Sequence, residues 1–330
     1  MFRFTLRRLA ILPLAIILIH FLGFTYAYVA RPIRAARTPY LREQVNNPLP
    51  LLESYQQHIQ DIFDGSLAKP IQKGPQIGSF AQDLSKGFVA SVGLLLIALS
   101  ISTLLGLLLG MLAVRNQPPG LHGWFTPFTS LGLAMPSFYV GSLSILAIVY
   151  LALATGIATK QVVPIRGYGW DNHLILPVIA LMLFPTVQIA QVTANLMAGE
   201  LGKQYIIASR SFGHTWNDIR WRQAMRNILS AVILTIASTF RMLVGELVVV
   251  EWLFNWPGLG RMLASTLVPG NLSTNLGASG LFLDPPTVGI IIAIIALLFL
   301  LTDLVASVLV RIVDPRLRTQ DEPNSSGGPG

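Results

Sequence analysis

Six apolar blocks, each long enough to cross a bilayer as a helix, constrain this chain more than any other feature. They run approximately Leu9–Ala30, Phe88–Val114, Phe125–Ala154, Leu174–Met197, Ile228–Val250 and Val288–Val313. A spanning helix needs about 20 apolar residues to cross roughly 30 Å of hydrocarbon. Helices satisfy every backbone N–H and C=O within their own segment, which lipid demands. Composition agrees: 12% of the residues are charged, about half the roughly 25% of a soluble domain, too few to cover a soluble globule. The expected fold is all-α and polytopic, with about six transmembrane helices.

The net charge of +8 does not point to nucleic acid, because the basic residues lie between apolar blocks. It fits topology and anionic lipid headgroups, so the bilayer is the expected partner. The chain has no cysteine, which excludes disulfides, thiolate nucleophiles and thiolate metal sites. Phe2-Arg3-Phe4-Thr5-Leu6-Arg7-Arg8 precedes the first block, which exceeds the roughly 7–15 residues of a signal core, so an uncleaved first span is expected. With the N-terminus inside, twelve Lys and Arg fall on the cytoplasmic side and ten outside. Seven of those ten lie in one long segment, where the positive-inside rule binds less.

The blocks divide the chain into an N-terminal segment with the first helix (1–30), an extracytoplasmic loop (31–87), a transmembrane core (88–318) and a tail (319–330). Within the outer loop, Leu51, Leu52, Tyr55, Ile59, Ile62 and Phe63 recur at helical spacing, predicting a short amphipathic helix on the membrane face. The tail is rich in Gly, Ser, Pro and Asn and is expected to be disordered. The cytoplasmic loop 198–227 reads as helical with a break at Gly213-His214. Its mixture of basic and aromatic residues suits docking to a protein, or an amphipathic helix lying on headgroups.

Polar residues inside spans are costly and mark either a hydrated path or bonds between helices. Gln188, Gln191 and Asn195 share one face of the fourth span, at offsets of three and four. Thr239, Met242 and Glu246 form a stripe on the fifth. Arg241 lies about 140° around the helix from Glu246, so each needs a partner on another helix, another chain or water. His20 and Asp303 read as bonds between helices, with no neighbours spaced like metal ligands. No Gly-Lys-Ser/Thr follows Gly258-Leu259-Gly260, so no phosphate loop is present and any ATP binds another chain. No enzymatic set of nucleophile, base or metal is legible, and the catalytic and metal sites are read as none.

Several segments together resemble the inner-membrane permease subunits of bacterial ABC transporters for dipeptides, oligopeptides and nickel. Gln204-Tyr205-Ile206-Ile207-Ala208-Ser209-Arg210-Ser211-Phe212-Gly213 is similar to that family's coupling motif, followed by Ala224-Met225-Arg226-Asn227. Glycine spacing at Gly106 and Gly110, Met135-Pro136-Ser137-Phe138, and Asp303 with Asp314-Pro315-Arg316 resemble other family segments, in the same order. The most specific match is Glu251-Trp252-Leu253-Phe254-Asn255-Trp256-Pro257-Gly258-Leu259-Gly260-Arg261. Departures exist: Gln204 and Ser209 replace the usual acidic residue and Arg, no Pro follows at Ile228-Leu229-Ser230, and the loop Val268–Asp284 is longer.

The resemblance implies the permease fold of type I ABC importers, a bacterial inner-membrane location and a role as the pore subunit rather than an enzyme. It implies a second permease subunit (a homo- or heterodimer), two cytoplasmic ATPase subunits that carry ATP and Mg, and an extracytoplasmic solute-binding protein. Tyr205, Ala208, Arg210 and Gly213 would form the coupling loop, with Gly213 allowing the turn that ends it. Glu251, Pro257, Gly258 and Gly260 would form the outer-loop motif. The path candidates are Gln188, Gln191, Asn195, Thr239 and Glu246. The cargo would be peptides or related small solutes, in either direction. The alternative is a secondary transporter or channel not coupled to ATP; no inverted repeat, midplane ion ligand or selectivity filter is legible for it.

Overall fold

Ser79, Pro136 and Pro285 mark where three of the helices begin, whereas Pro13, Pro32 and Pro185 lie inside unbroken helices. The computed structural model describes residues 2–36, 49–66, 71–73, 76–156, 158–159, 163–267 and 282–313. The tail 319–330, Asp314-Pro315-Arg316 and most of the loop Val268–Asp284 lie outside these residues. Helix α1 runs Phe2–Ala35 and α2, the amphipathic helix, Leu51–Phe63. The second span, α3, is Phe80–Leu112 and starts earlier than its apolar block, because the Ser79 hydroxyl accepts from Gln82 N at 3.2 Å and caps two polar turns.

The apolar block Phe125–Ala154 is not one helix. It divides into α4, Phe125–Leu133, and α5, Ser137–Thr155. The break is at Pro136, which has no N–H to donate and forces the preceding residue out of the helical region. The fourth span, α6, is Ile175–Leu201. The short helix α7, Gln204–Ser211, and the turn α8, Trp216–Asp218, follow. A π-helical stretch, Ile219–Ala224, carries the chain directly into the fifth span, α9, Met225–Phe254. Helix α10 is Leu259–Leu267 and the last span, α11, is Pro285–Val313. Strands are confined to two small antiparallel ribbons among the described residues, β1–β2 (Ile71–Lys73, Gln76–Gly78) and β3–β4 (Val114–Arg115, Gly120–Leu121). The fold is all-α, and six helices are long and apolar enough to cross a membrane.

The fourth span is the centre of the bundle. Of its apolar window 56% is buried inside the chain, against 11% for α5. Helix α3 approaches it closely through two glycines. A Cβ at Gly106 would stand 2.8 Å from Ile189 Cβ, and one at Gly110 would stand 2.8 Å from the Ala190 carbonyl. Small residues permit such approach where lipid supplies no hydrophobic drive between helices. Two apolar clusters lie at different depths. One gathers Leu94, Leu95, Leu181, Leu243, Leu247 and Trp256 at the end bearing α10. The other gathers Met111, Phe125, Met197, Ile206, Ile219 and Ala224 at the end bearing α7. Six crossings place α2 and α10 on one side and α7 on the other; the charge reading makes these the outer and inner sides.

The two isolated polar residues of the first and last spans find partners. His20 Nδ1 lies 3.1 Å from the Tyr55 hydroxyl and its Nε2 lies 3.3 Å from His58 Nε2, so α2 is pinned to α1 by a buried bond. Asp303 pairs with Arg241 across α11 and α9. Arg241 and Glu246 therefore do not share a partner, as their separation around α9 requires.

Candidate functional site

The inner end is built on a corner. Helix α6 stops at Leu201, Gly202 and Lys203 turn the chain, and α7 begins at Gln204. Ile206 is buried in the inner cluster and sets the rotation of α7. Ile207, Ala208 and Phe212 then face outward from the chain, with Ile207 71% and Phe212 84% exposed. Helix α7 closes with a Schellman turn: Gly213 N donates to Arg210 O at 3.0 Å and His214 N to Ser209 O at 3.2 Å. Gly213 takes φ +86°, the left-handed conformation that this turn demands.

Arg210 is turned back on its own loop. Its guanidinium donates to His214 O at 2.6 Å and lies 4.9 Å from the Trp216 ring. The Thr215 hydroxyl accepts from Asp218 N at 3.2 Å and starts the next turn. Ser209 Oγ donates to Gln223 Oε1 at 2.7 Å. Arg220 reaches the end of α3, donating to the carbonyls of Met111 (3.2 Å) and Val114 (2.5 Å). The loop is thereby a shaped, internally bonded unit that exposes Ile207, Ala208 and Phe212 among polar residues.

Beneath it lies a residue that the motif did not single out. Glu200, 5% exposed, accepts from the Tyr205 hydroxyl at 2.8 Å and from Asn227 Nδ2 at 2.7 Å, both at Oε1. Its Oε2 pairs with Lys203 at 2.5 Å. Burial, then the bond to Glu200, pushes the Tyr205 hydroxyl up to about 12, so it stays a donor throughout the physiological range. A sequence signal existed: Glu200 is the only acidic residue between Asp171 and Asp218.

The outer motif is a clamp. The Glu251 carboxylate, fully buried, accepts from Ser91 Oγ at 2.5 Å and from Arg261 N at 3.0 Å. Ser91 Oγ in turn accepts from Leu259 N at 2.8 Å. The carboxylate thus sits on the free amides at the start of α10, where the helix dipole favours an anion. Gly258 and Gly260 make room: a Cβ at Gly258 would stand 1.9 Å from Glu251 Oε1, and one at Gly260 would stand 2.6 Å from Val248 Cα. Pro257 is exposed at the turn. Trp256, enclosed by Tyr168 and Trp170, donates to Ala90 O at 3.1 Å. Burial lowers the Arg261 guanidinium from its ordinary value, with Glu251 opposing the shift. Ser91, absent from the motif, is the residue through which α3 joins the clamp.

Of the path candidates, Gln188 and Gln191 are half-buried and Asn195 is exposed, on one face of α6. Gln188 Oε1 is buried and accepts no hydrogen bond from the described residues. Glu246 is half-buried, with its carboxyl on the Ser137 hydroxyl at the start of α5. Thr239 differs: it is fully enclosed by this chain and donates to Ile236 O at 2.8 Å. The described residues hold no group of three or more His, Cys, Asp or Glu arranged for a metal ion.

A six-span helical bundle with a shaped inner loop and a clamped outer helix defines a multi-pass membrane protein. Residues 102–319 match the family described as binding-protein-dependent transport system inner membrane component, and the chain belongs to that family. It is 27% identical to the dipeptide transport system permease protein DppB of Lactococcus lactis subsp. cremoris, over 96% of this chain and all of that protein. It is 25% identical to the Escherichia coli protein of the same name, over 96% of this chain and 99% of that one. The oligopeptide transport system permease protein AppB of Bacillus subtilis is 28% identical over 67% of this chain and 68% of its own length. The chain is an ABC-type permease of the inner membrane.

Proposed function

We propose that this chain forms, with a second permease subunit, the path by which peptides or related small solutes cross the inner membrane, driven by two separate ATPase subunits. The peptide cargo rests on the names of its relatives, which are dipeptide and oligopeptide permeases. ATP and Mg bind the partner subunits; the absence of a phosphate loop from the sequence supports this. An extracytoplasmic binding protein delivers the cargo, as the family description suggests.

One observation carries the docking of the motor: α7 is anchored from below yet presents Ile207, Ala208 and Phe212 outward. Such an apolar face on a short, internally bonded helix suits insertion into a cleft of another protein. Helix α7 would then move with the ATPase as a rigid body, and the polar face of Gln188, Gln191 and Asn195 would change its exposure to either side.

The chain lacks cysteine, so a photo-crosslinker on Ile207→Cys marks one site of this chain only. The expected product joins this chain to a subunit bearing a Gly-Lys-Ser/Thr phosphate loop, identified by mass spectrometry. Crosslinking to lipid alone would overturn the docking reading in favour of a helix lying on headgroups.

A further inference from the structure

The corner Gly202–Lys203 separates α6 from α7, so a motor pulling on α7 would move the spans only if side chains tie the helices across it. Glu200 spans that corner. Its carboxylate comes from α6, the Tyr205 hydroxyl from α7 and the Asn227 amide from α9, and Asn227 Nδ2 also lies 3.2 Å from the Tyr205 oxygen. We infer that Glu200 is the positioning residue that makes α6 and α9 follow α7 as one body, which rests on the docking reading above.

Three observations support it. Glu200 is buried although it sits at the end of a span, where a carboxylate could reach water at no desolvation cost. Both its oxygens are occupied, and charge-assisted bonds of this kind are the strong ones. Among the described residues, the side-chain bonds that join α7 to both α6 and α9 all run within the Glu200–Tyr205–Asn227 triad, in which Glu200 supplies the charge: Ser209 reaches only Gln223 in the π-helical stretch, and Arg220 ties that stretch to α3. A carboxylate serving only as a local cap would not need the Asn227 bond, which crosses to the fifth span.

The test uses the full transporter in vesicles. Asn195→Cys gives a single thiol in the cysteine-free chain, read by a membrane-impermeant maleimide with and without Mg-ATP and vanadate. With Glu200 intact, the nucleotide is expected to change the labelling rate about tenfold. In Glu200→Ala the change is expected to fall to about twofold or less, while the ATPase subunit co-purifies in equal amount. Should Glu200→Ala fail to insert, Glu200→Gln and Tyr205→Phe delete bonds with little loss of volume and are expected to shift the ratio in the same direction. Full nucleotide switching in these variants would overturn the inference. So would loss of the ATPase from them, which would make Glu200 a shaper of the docking surface. Absence of the ATPase from the chain with Glu200 intact would instead overturn the docking reading itself.

Discussion

Gly213 shows how one backbone angle sets a surface. Its φ of +86° closes the Schellman turn, and no atom lies within 4 Å of where a Cβ would stand. A side chain there meets no clash, only the cost of the left-handed region, about 1–2 kcal/mol. That is too little to prevent insertion but enough to loosen the end of α7, where Arg210 and Phe212 are placed. Gly213→Asp is expected to lower ATP-dependent uptake about tenfold with membrane levels unchanged on an immunoblot. Gly213→Asn, which tolerates this conformation better, is expected to retain more activity. Glu251 is the counterpart at the other end. Glu251→Gln keeps one acceptor but turns an amide donor toward the N–H groups of α10, and it is expected to lower stability by about 2–3 kcal/mol, read as earlier thermal unfolding in detergent.

At the scale of elements, two outer pieces depend on polar ties to the bundle. Helix α10 depends on the Glu251–Ser91 clamp, so Gly258→Ala, whose methyl would collide with the carboxylate, is expected to free α10 to proteolysis while leaving the spans intact. Helix α2 depends on His58, 3% exposed and bonded to His20. Burial lowers the His58 imidazole from its ordinary 6.5, opposed by the charges of Asp284 and Asp61; Tyr55 lies beside His20, and Arg31 stands 4.0 Å from Asp284. A depressed folded value means that the docked helix favours neutral His58. The contribution of His58 is therefore complete above 6.5 and is lost as pH falls through the lower folded value. Hydrogen-exchange protection factors of the α2 amides are expected to fall between about pH 7.5 and about pH 5, and His58→Gln is expected to reduce that dependence.

For the whole molecule, the six spans and the amphipathic α2 were legible because hydropathy and helical period act locally. The division of the third block was less so, although Pro136 marks it, because apolar content runs unbroken across the turn. The inner site was legible as a motif, but its anchor was not: Glu200, Tyr205 and Asn227 meet only when α6, α7 and α9 pack. Thr239 shared a helical stripe with Glu246 yet is enclosed, since period alone does not say which neighbour covers a face. Ser91 joins Glu251 from 160 positions away, a pairing that no local pattern announces. The central claim is that this chain is a permease driven by ATPases on other chains. Its most direct test is peptide uptake into vesicles that hold the chain either alone or as co-purified with its partners. Uptake is predicted only from the co-purified assembly and only with Mg-ATP; transport by the chain alone without ATP would contradict it.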